Sequence, residues 1–421
     1  MKRYIRITLL LIMIITLCLM VVSCNKKQDS KNNEKVLKGN IKVVTDVEHG
    51  PQFELAAEEF EKLHKKVNIN VITVKDTDNN VEAIFNGPQY EADITTINDS
   101  YIKHIITKNS EKFLEMTGSV KGYKDELLTN KIYNDTIKGK IYAIPWDTYP
   151  KALLYRKDIF DKEGIDVNTI KSWSDYIEVG RKISKDTGKI FIANSSEDNN
   201  DIYLVLSNQL GTSYFNQSGK SDFKSQKWAR VIEISKILYG EGLIQEFSSK
   251  DEVINKAQLN KIVSFIADPT YAVTLMNKFP QTKGKWGVMK LPAFEDGGNR
   301  DVSLGGINLV INKNTSESNL SEEFVKFALT DGKLQMDLLN KYGRFPVSTD
   351  AYNFVDLNKN ITYFDSTIWN LFGSVEQGAF SINYTKNFPD IREKVKGVLN
   401  ETNIKSENYK SIIEGVETIL K

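Results

Sequence analysis

Cysteine is almost missing from this chain. Of 421 residues only Cys18 and Cys24 are cysteines, and both sit in the N-terminal segment, so no disulfide staples the rest. Histidine is nearly as scarce: His49, His64 and His104 stand at unrelated spacings, which excludes the Cys/His cluster that zinc needs. No charge dominates either, because 56 Lys+Arg balance 55 Asp+Glu for a net +1, and that excludes the single-sign field expected of a nucleic-acid or polyanion binder. A neutral ligand fits the balance best. Also missing are an internal repeat, a Gly-x-Ser-x-Gly turn, a phosphate-cradling glycine loop and a histidine-based triad. Carboxylate pairs arise by accident among 55 acids, and no pattern holds an acid and a nucleophile at the separation glycoside hydrolysis requires. The chain is therefore not expected to be an enzyme, nor to carry a metal or cofactor.

One long apolar run is present. Lys2, Arg3 and Arg6 precede residues 7–22, which are apolar except for two threonines and end in Val21-Val22-Ser23-Cys24. The run is short for a membrane span and has the charged front and small-residue end of a secretory signal. It resembles the bacterial lipobox, which implies cleavage before Cys24 and lipidation of that cysteine; an uncleaved anchor is the alternative. Either way the remainder faces outward. Residues 25–39, NKKQDSKNNEKVLKG, are too polar to bury a core and read as a flexible tether. Roughly 400 residues remain, enough for two domains.

Residues 40–46 (NIKVVTD) form a β-branched strand pattern. Residues 53–65 place Phe53, Ala56, Ala57, Phe60 and Leu63 at helical spacing, and 67–74 (VNINVITV) alternate as a strand. Strand, helix, strand implies a right-handed crossover in a mostly parallel sheet. A further strand at 92–97 ends at Asn98-Asp99-Ser100, and ligands of open α/β sheets bind beyond such carboxyl ends. Residues 139–160 read as a short strand, a turn at Pro145-Trp146-Asp147-Thr148, then a strand at 152–155 leading to a helix. Helices are expected at 170–186, 226–239 and, as one long helix, 322–341, with strands at 286–292 and 305–311.

The segments IYAIPWDTYPKALLYRKDIFDKEGI, WGVMKLPAF, LGGINLVINKN and SEEFVKFALTDGKLQMDLLNKYGRFPVS, in this order behind the lipobox, resemble family 1 extracellular solute-binding proteins, the maltodextrin-binding-like receptors of carbohydrate ABC importers. The Trp-Asp after Ile-Pro and the following Tyr-Arg-Lys-Asp look closest to the lactose- and arabinose-oligosaccharide-like branch. The resemblance implies two α/β lobes, each a mostly parallel sheet flanked by helices, with ligand held between them. The implied boundaries are a signal at 1–23, a tether at 24–39, one lobe from 40–147 and 292–345, and a second from 148–291 and 346–421. The chain would cross between lobes near residues 147–151, 291–294 and 344–347.

A sugar offers hydroxyls at its rim and C–H patches on its faces, so its site needs aromatic platforms beside polar groups. Trp146 and Asp147 supply both, unless they are hinge core and turn former. Tyr149 faces the same cleft or belongs to an ordinary Tyr-Pro hinge. Asp99 accepts from hydroxyls or caps the helix that follows. His49 lies in the first loop, where Glu48 competes for its role. Tyr271 stands where relatives place a stacking ring, in Asp268-Pro269-Thr270-Tyr271 instead of a Gly-Trp sequence; packing in the first turn of its helix is the alternative. Gly305-Gly306 before Asn308 allow backbone to approach a ligand, or simply start a strand. Arg344-Phe345 at the third crossing, Tyr214 and Phe388 complete the candidates, while Trp173 and Trp228 read as core. The implied function is a lipid-anchored, monomeric receptor at the outer face of the cell membrane, delivering a sugar to an ABC permease. Its rivals are a subunit presenting ligand to a membrane kinase, a surface glycoside hydrolase, and a receptor for a phosphorylated or peptide ligand. A phosphate would call for cleft arginine, and only Arg344 is suitably placed.

Overall fold

The computed structural model describes residues 36–195, 201–354 and 357–420. The signal, Cys24 and most of the tether lie outside them. The first strands, β1 (Lys38–Asp46) and β2 (Lys66–Val74), pair in parallel along their whole length, from Lys38 opposite Lys66 to Asp46 opposite Val74. The helix between them, Gly50–Leu63, starts at a proline in its first turn, where the missing N–H costs nothing, and buries Phe53, Ala56, Ala57 and Phe60. β3 (Ile94–Asn98) adds parallel to β1.

A two-residue hairpin, β4 (Thr136–Ile137) and β5 (Lys140–Ile141), precedes β6 (Ile144–Pro145), β7 (Asp147–Thr148) and β8 (Ala152–Arg156). Then come β9 (Ile190–Ser195), β10 (Ile244–Phe247), β11 (Ile262–Ala267), β12 (Trp286–Lys290), β13 (Ile307–Ile311) and β14 (Phe345–Pro346). Two five-stranded sheets result, ordered β2-β1-β3-β13-β6 and β10-β9-β11-β8-β12. Each has a parallel core closed by antiparallel strands: β13 against β3 and β6 in the first, β8 against β11 and β12 in the second. Strands β8, β11 and β13 are buried at every residue, which is why they read as mostly apolar runs, each with a single polar residue, and not as alternation.

Three expectations are corrected. Residues 145–148 are not a turn: β7 runs extended and pairs antiparallel with β14, Asp147 opposite Pro346, so two of the crossings are zipped together. The long helix at 322–341 is two, Ser318–Thr330 and Gly332–Tyr342, because Asp331 leaves the helical region and its carboxylate caps Leu334 N–H at 2.8 Å. The crossing expected near 291–294 comes later. Ala293 still pairs with Lys171 and Trp173 beside the second sheet, whereas Lys151 N–H donates to Val302 O and Leu304 N–H to Tyr149 O, so the return runs through residues 302–306. Among the described residues no helix is long and apolar enough to cross a membrane.

Candidate functional site

The first loop is locked by its own sequence. Asp46, at the end of β1, accepts from the Glu48 and His49 amides at 2.9 and 3.0 Å, an Asx-type turn that aims the His49 ring inward. His49 Nδ1 lies 2.7 Å from Asp46 Oδ2, and its Nε2 lies 2.8 Å from Tyr149 Oη and 3.4 Å from Asp147. Tyr149 in turn donates to Asp147 Oδ2 at 3.1 Å, and Ile307 N–H donates to Asp147 Oδ1 at 2.8 Å. Burial by itself would lower the His49 pKa, but the Asp46 charge and the bonds to Asp147 and Asp46 outweigh it and raise the ring from 6.5 to about 10. The imidazolium therefore stabilises the fold fully below about pH 6.5, and this contribution is lost as pH rises toward 10. In urea melts, the stability gap between wild type and His49→Gln is expected to shrink steadily from pH 6 to pH 9; a constant gap would mean a neutral ring.

Asp99 does not cap its helix. Asn98 holds the cap position without a side-chain bond to the helix, its amide donating instead to Asp78, and Asp99 turns inward to meet Lys131 Nζ at 2.5 Å and Asn308 Nδ2 at 2.8 Å. Lys131 also donates to Gly305 O, and Gly305 N–H donates to Tyr384 Oη at 3.2 Å. Burial opposes the Lys131 charge, yet Asp99 and then Glu376 hold its pKa above the ordinary lysine range. Glu376 accepts from Thr148 and Ser303 at 2.8 and 2.6 Å, and burial pushes its carboxyl up. Gly306 joins the two groups: its φ is +126°, and a Cβ there would stand 2.5 Å from Asp147 O. Only glycine fits.

From the second lobe comes Asp268. Its Oδ1 caps Thr270 N–H at 2.9 Å and its Oδ2 takes Lys151 Nζ at 2.9 Å. Tyr271, in the first turn of the helix Pro269–Lys278, is buried against Phe265, with Lys250 Nζ 5.7 Å from its ring centre. Lys250 also pairs with Glu48, so the loop position that sequence left open between Glu48 and His49 is shared, Glu48 facing the second lobe and His49 the hinge.

Trp146 and Arg344 are brought together in a different role from that expected. Trp146 is 0% exposed, stacks on Phe53 with centroids 4.3 Å apart, donates to Gln52 Oε1 at 2.9 Å and carries the Arg344 guanidinium 3.8 Å above its ring. Both faces are occupied by protein, so Trp146 has no free platform. Arg344 donates from Nη1 to Gln335 and from Nη2 to the Trp146 carbonyl, while its buried Nε meets no acceptor among the described residues. Tyr214 and Phe388 stack on each other in the second-lobe core, and Trp173 and Trp228 are core as expected.

Sequence reasoning missed Lys131, Lys250, Ser303, Glu376, Tyr384 and Arg392. None lies in a distinctive motif; each matters through a partner far along the chain. Arg392 Nη1 donates to Ser100 Oγ at 3.3 Å and His104 Nδ1 to Lys386 O at 2.7 Å, bringing the late helix Phe388–Val398 against the helix Asp99–Asn109. Beside this contact, Asp99, Asn130, Lys131, Ser303, Gly305 and Tyr384 line a crevice of about 20 Å³, room for little more than one water.

Two α/β sheets, three chain crossings and buried polar groups gathered at those crossings define a two-lobed solute-binding fold. The GacH receptor of Streptomyces glaucescens, solved unliganded and with acarbose, superimposes with a TM-score of 0.74 at 18% identity, covering 91% of this chain and 98% of that one. The ABC-transporter-associated binding protein of B. animalis subsp. lactis, in complex with beta-1,6-galactobiose, gives 0.72 at 19%, covering 91% and 97%. The chain belongs to the bacterial extracellular solute-binding protein family, whose model matches residues 46–334. An arabinooligosaccharide-binding protein of Halalkalibacterium halodurans is 25% identical over 264 residues, 60% of this chain and 58% of that protein. A lactose-binding protein of Rhizobium radiobacter is 21% identical over 50% of this chain and 49% of its own. The match thus spans less than two thirds of either relative.

Proposed function

We propose that this protein is a lipid-anchored receptor that captures an oligosaccharide between its lobes and delivers it to an ABC permease. The observation that carries this reading is the gathering of Glu48, Asp99 and Lys131 with Lys250 and Tyr271 of the second lobe beside the chain crossings. Sugar hydroxyls both donate and accept, so alternating carboxylates, ammonium groups and a tyrosine ring match their rim and faces. The crevice of about 20 Å³ admits a sugar only when the lobes part, and a ligand touching both lobes favours their closing again. In this reading Trp146, Asp147, Tyr149 and Arg344 hold the hinge, with Gly306 and Asn308 tying it to Asp99.

A thermal-shift screen of mono- and oligosaccharides tests the reading. A ligand at about 100 times its Kd adds roughly 2.7 kcal/mol, which moves a chain of this size by about 3 °C. A shift from peptides or phosphorylated compounds with none from any sugar would overturn it. Anchoring is tested separately: Cys24→Ala is expected to move the protein from the membrane fraction to the soluble one, and membrane retention after signal cleavage would refute lipidation at this cysteine.

A further inference from the structure

The segment 380–384 is a wall between two cavities. On one side Phe380, Ser381, Ile382 and Tyr384 face Asp99 and Lys131 across the crevice between the lobes. On the other, Ser381 and Asn383 line a groove of about 580 Å³ in the second lobe, well inside the roughly 300–1,000 Å³ typical of ligand sites. Ser381 borders both, and Phe380, 48% exposed, lies on Gly211 next to it.

The groove is built rigidly. Its far wall is the turn 216–220, where Asn216 Oδ1 accepts from Ser218 N–H at 3.0 Å, Ser218 Oγ at 2.7 Å and Lys220 N–H at 3.1 Å. Asn383, itself buried, ties this turn to the wall by donating to Asn216 O at 3.0 Å and Gln217 O at 3.3 Å, and Gln217 donates to Ser381 O at 3.3 Å. The lining is mostly hydroxyl and amide, with one aromatic ring, Phe215, and one charge of each sign, Asp222 and Lys227. Neutral donors and acceptors around an aromatic ring suit neither an anion nor a cation, and they suit a polyhydroxylated chain.

We propose that this groove is a second carbohydrate subsite, which receives the projecting end of an oligosaccharide whose other end is held between the lobes. The proposal rests on the sugar-receptor reading and adds to it that the ligand is a chain long enough to pass Ser381. A turn fixed before binding loses little entropy when sugar docks, so the groove adds affinity for length.

Calorimetric titration with arabinooligosaccharides and maltooligosaccharides of two to six units tests it, on wild type, on Gln217→Ala/Gln226→Ala and on Ser381→Trp, whose ring would stand at the residue that borders both cavities; apo melting curves confirm folding. In the series that binds, wild-type affinity is expected to rise with length. The double variant should lose about tenfold for the longest ligands, the weight of one or two neutral hydrogen bonds, and nothing for the shortest, and Ser381→Trp should flatten the length dependence. Length-independent affinity in wild type, or equal losses at every length in both variants, overturns the subsite while leaving the receptor intact. Failure of every sugar to bind wild type overturns the receptor reading itself, and the subsite with it.

Discussion

Trp146→Ala is expected to lower the melting temperature of the ligand-free protein, not merely its affinity. The ring is fully buried between Phe53 and the Arg344 guanidinium, and its N–H is bonded to Gln52. Truncation leaves a cavity the crossing strands cannot fill, and it exposes a buried arginine to the loss of its aromatic neighbour. Large-to-small changes of this kind cost about 3–5 kcal/mol, which a chain of this size expresses as roughly 4–6 °C. Weaker ligand binding should accompany the loss, because β7 and β14 pair next to this ring and set the hinge. A melting temperature equal to wild type, together with lost sugar binding, would instead make Trp146 a ligand platform.

Lys131→Met is expected to be equally severe for a different reason. Lys131 is the cation among Asp99, Glu376 and Asp135, all buried, and neither Asp135 oxygen has a hydrogen-bond partner among the described residues. Burial and then the Asp99 charge push the Asp135 carboxyl well above its usual range, while Lys131 pulls it back. Removing the ammonium group strands Asp99 without its counter-ion, a change that costs about 3–5 kcal/mol in buried pairs. Adding Asp99→Asn should recover part of this, since the carboxylate in direct contact with Lys131 is then gone while Glu376 and Asp135 still lack that ammonium group; Asn308 Nδ2 still has an oxygen to meet there. Urea melts of the four proteins in this cycle measure the coupling directly. Additive losses would show that the two groups do not act as a pair.

The sequence made the scaffold legible where local pattern and burial coincide. Helix Gly50–Leu63 follows from the spacing of Phe53, Ala56, Ala57 and Phe60, and β1 and β2 follow from their β-branched runs. Where a local signal was weak it misled. Pro-Trp-Asp-Thr has turn-like composition, yet Asp147–Thr148 is extended because Phe345–Pro346 arrives to pair with it. The break at Asp331 had a sign in the sequence, an Asp-Gly pair inside an apolar helical pattern, which was overridden by the periodicity on either side. The candidate residues meet partners that the sequence does not announce. His49, Asp99, Asp147, Tyr149, Gly306 and Asn308 do converge, but on one another.

By itself the sequence determined what needs only composition or short-range order: no disulfide framework, no Cys/His metal cluster, balanced charge, and strand or helix wherever apolar spacing is consistent over several residues. The tertiary structure alone decided which faces are covered. Arg344 reaches Trp146 across 198 residues, and Lys131 reaches Gly305 across 174. Periodicity reports that a side chain is turned inward, whereas the identity of what meets it depends on chain crossings that bring distant segments together. That is why Trp146 looks like a platform in the sequence and is a buried hinge residue in the fold.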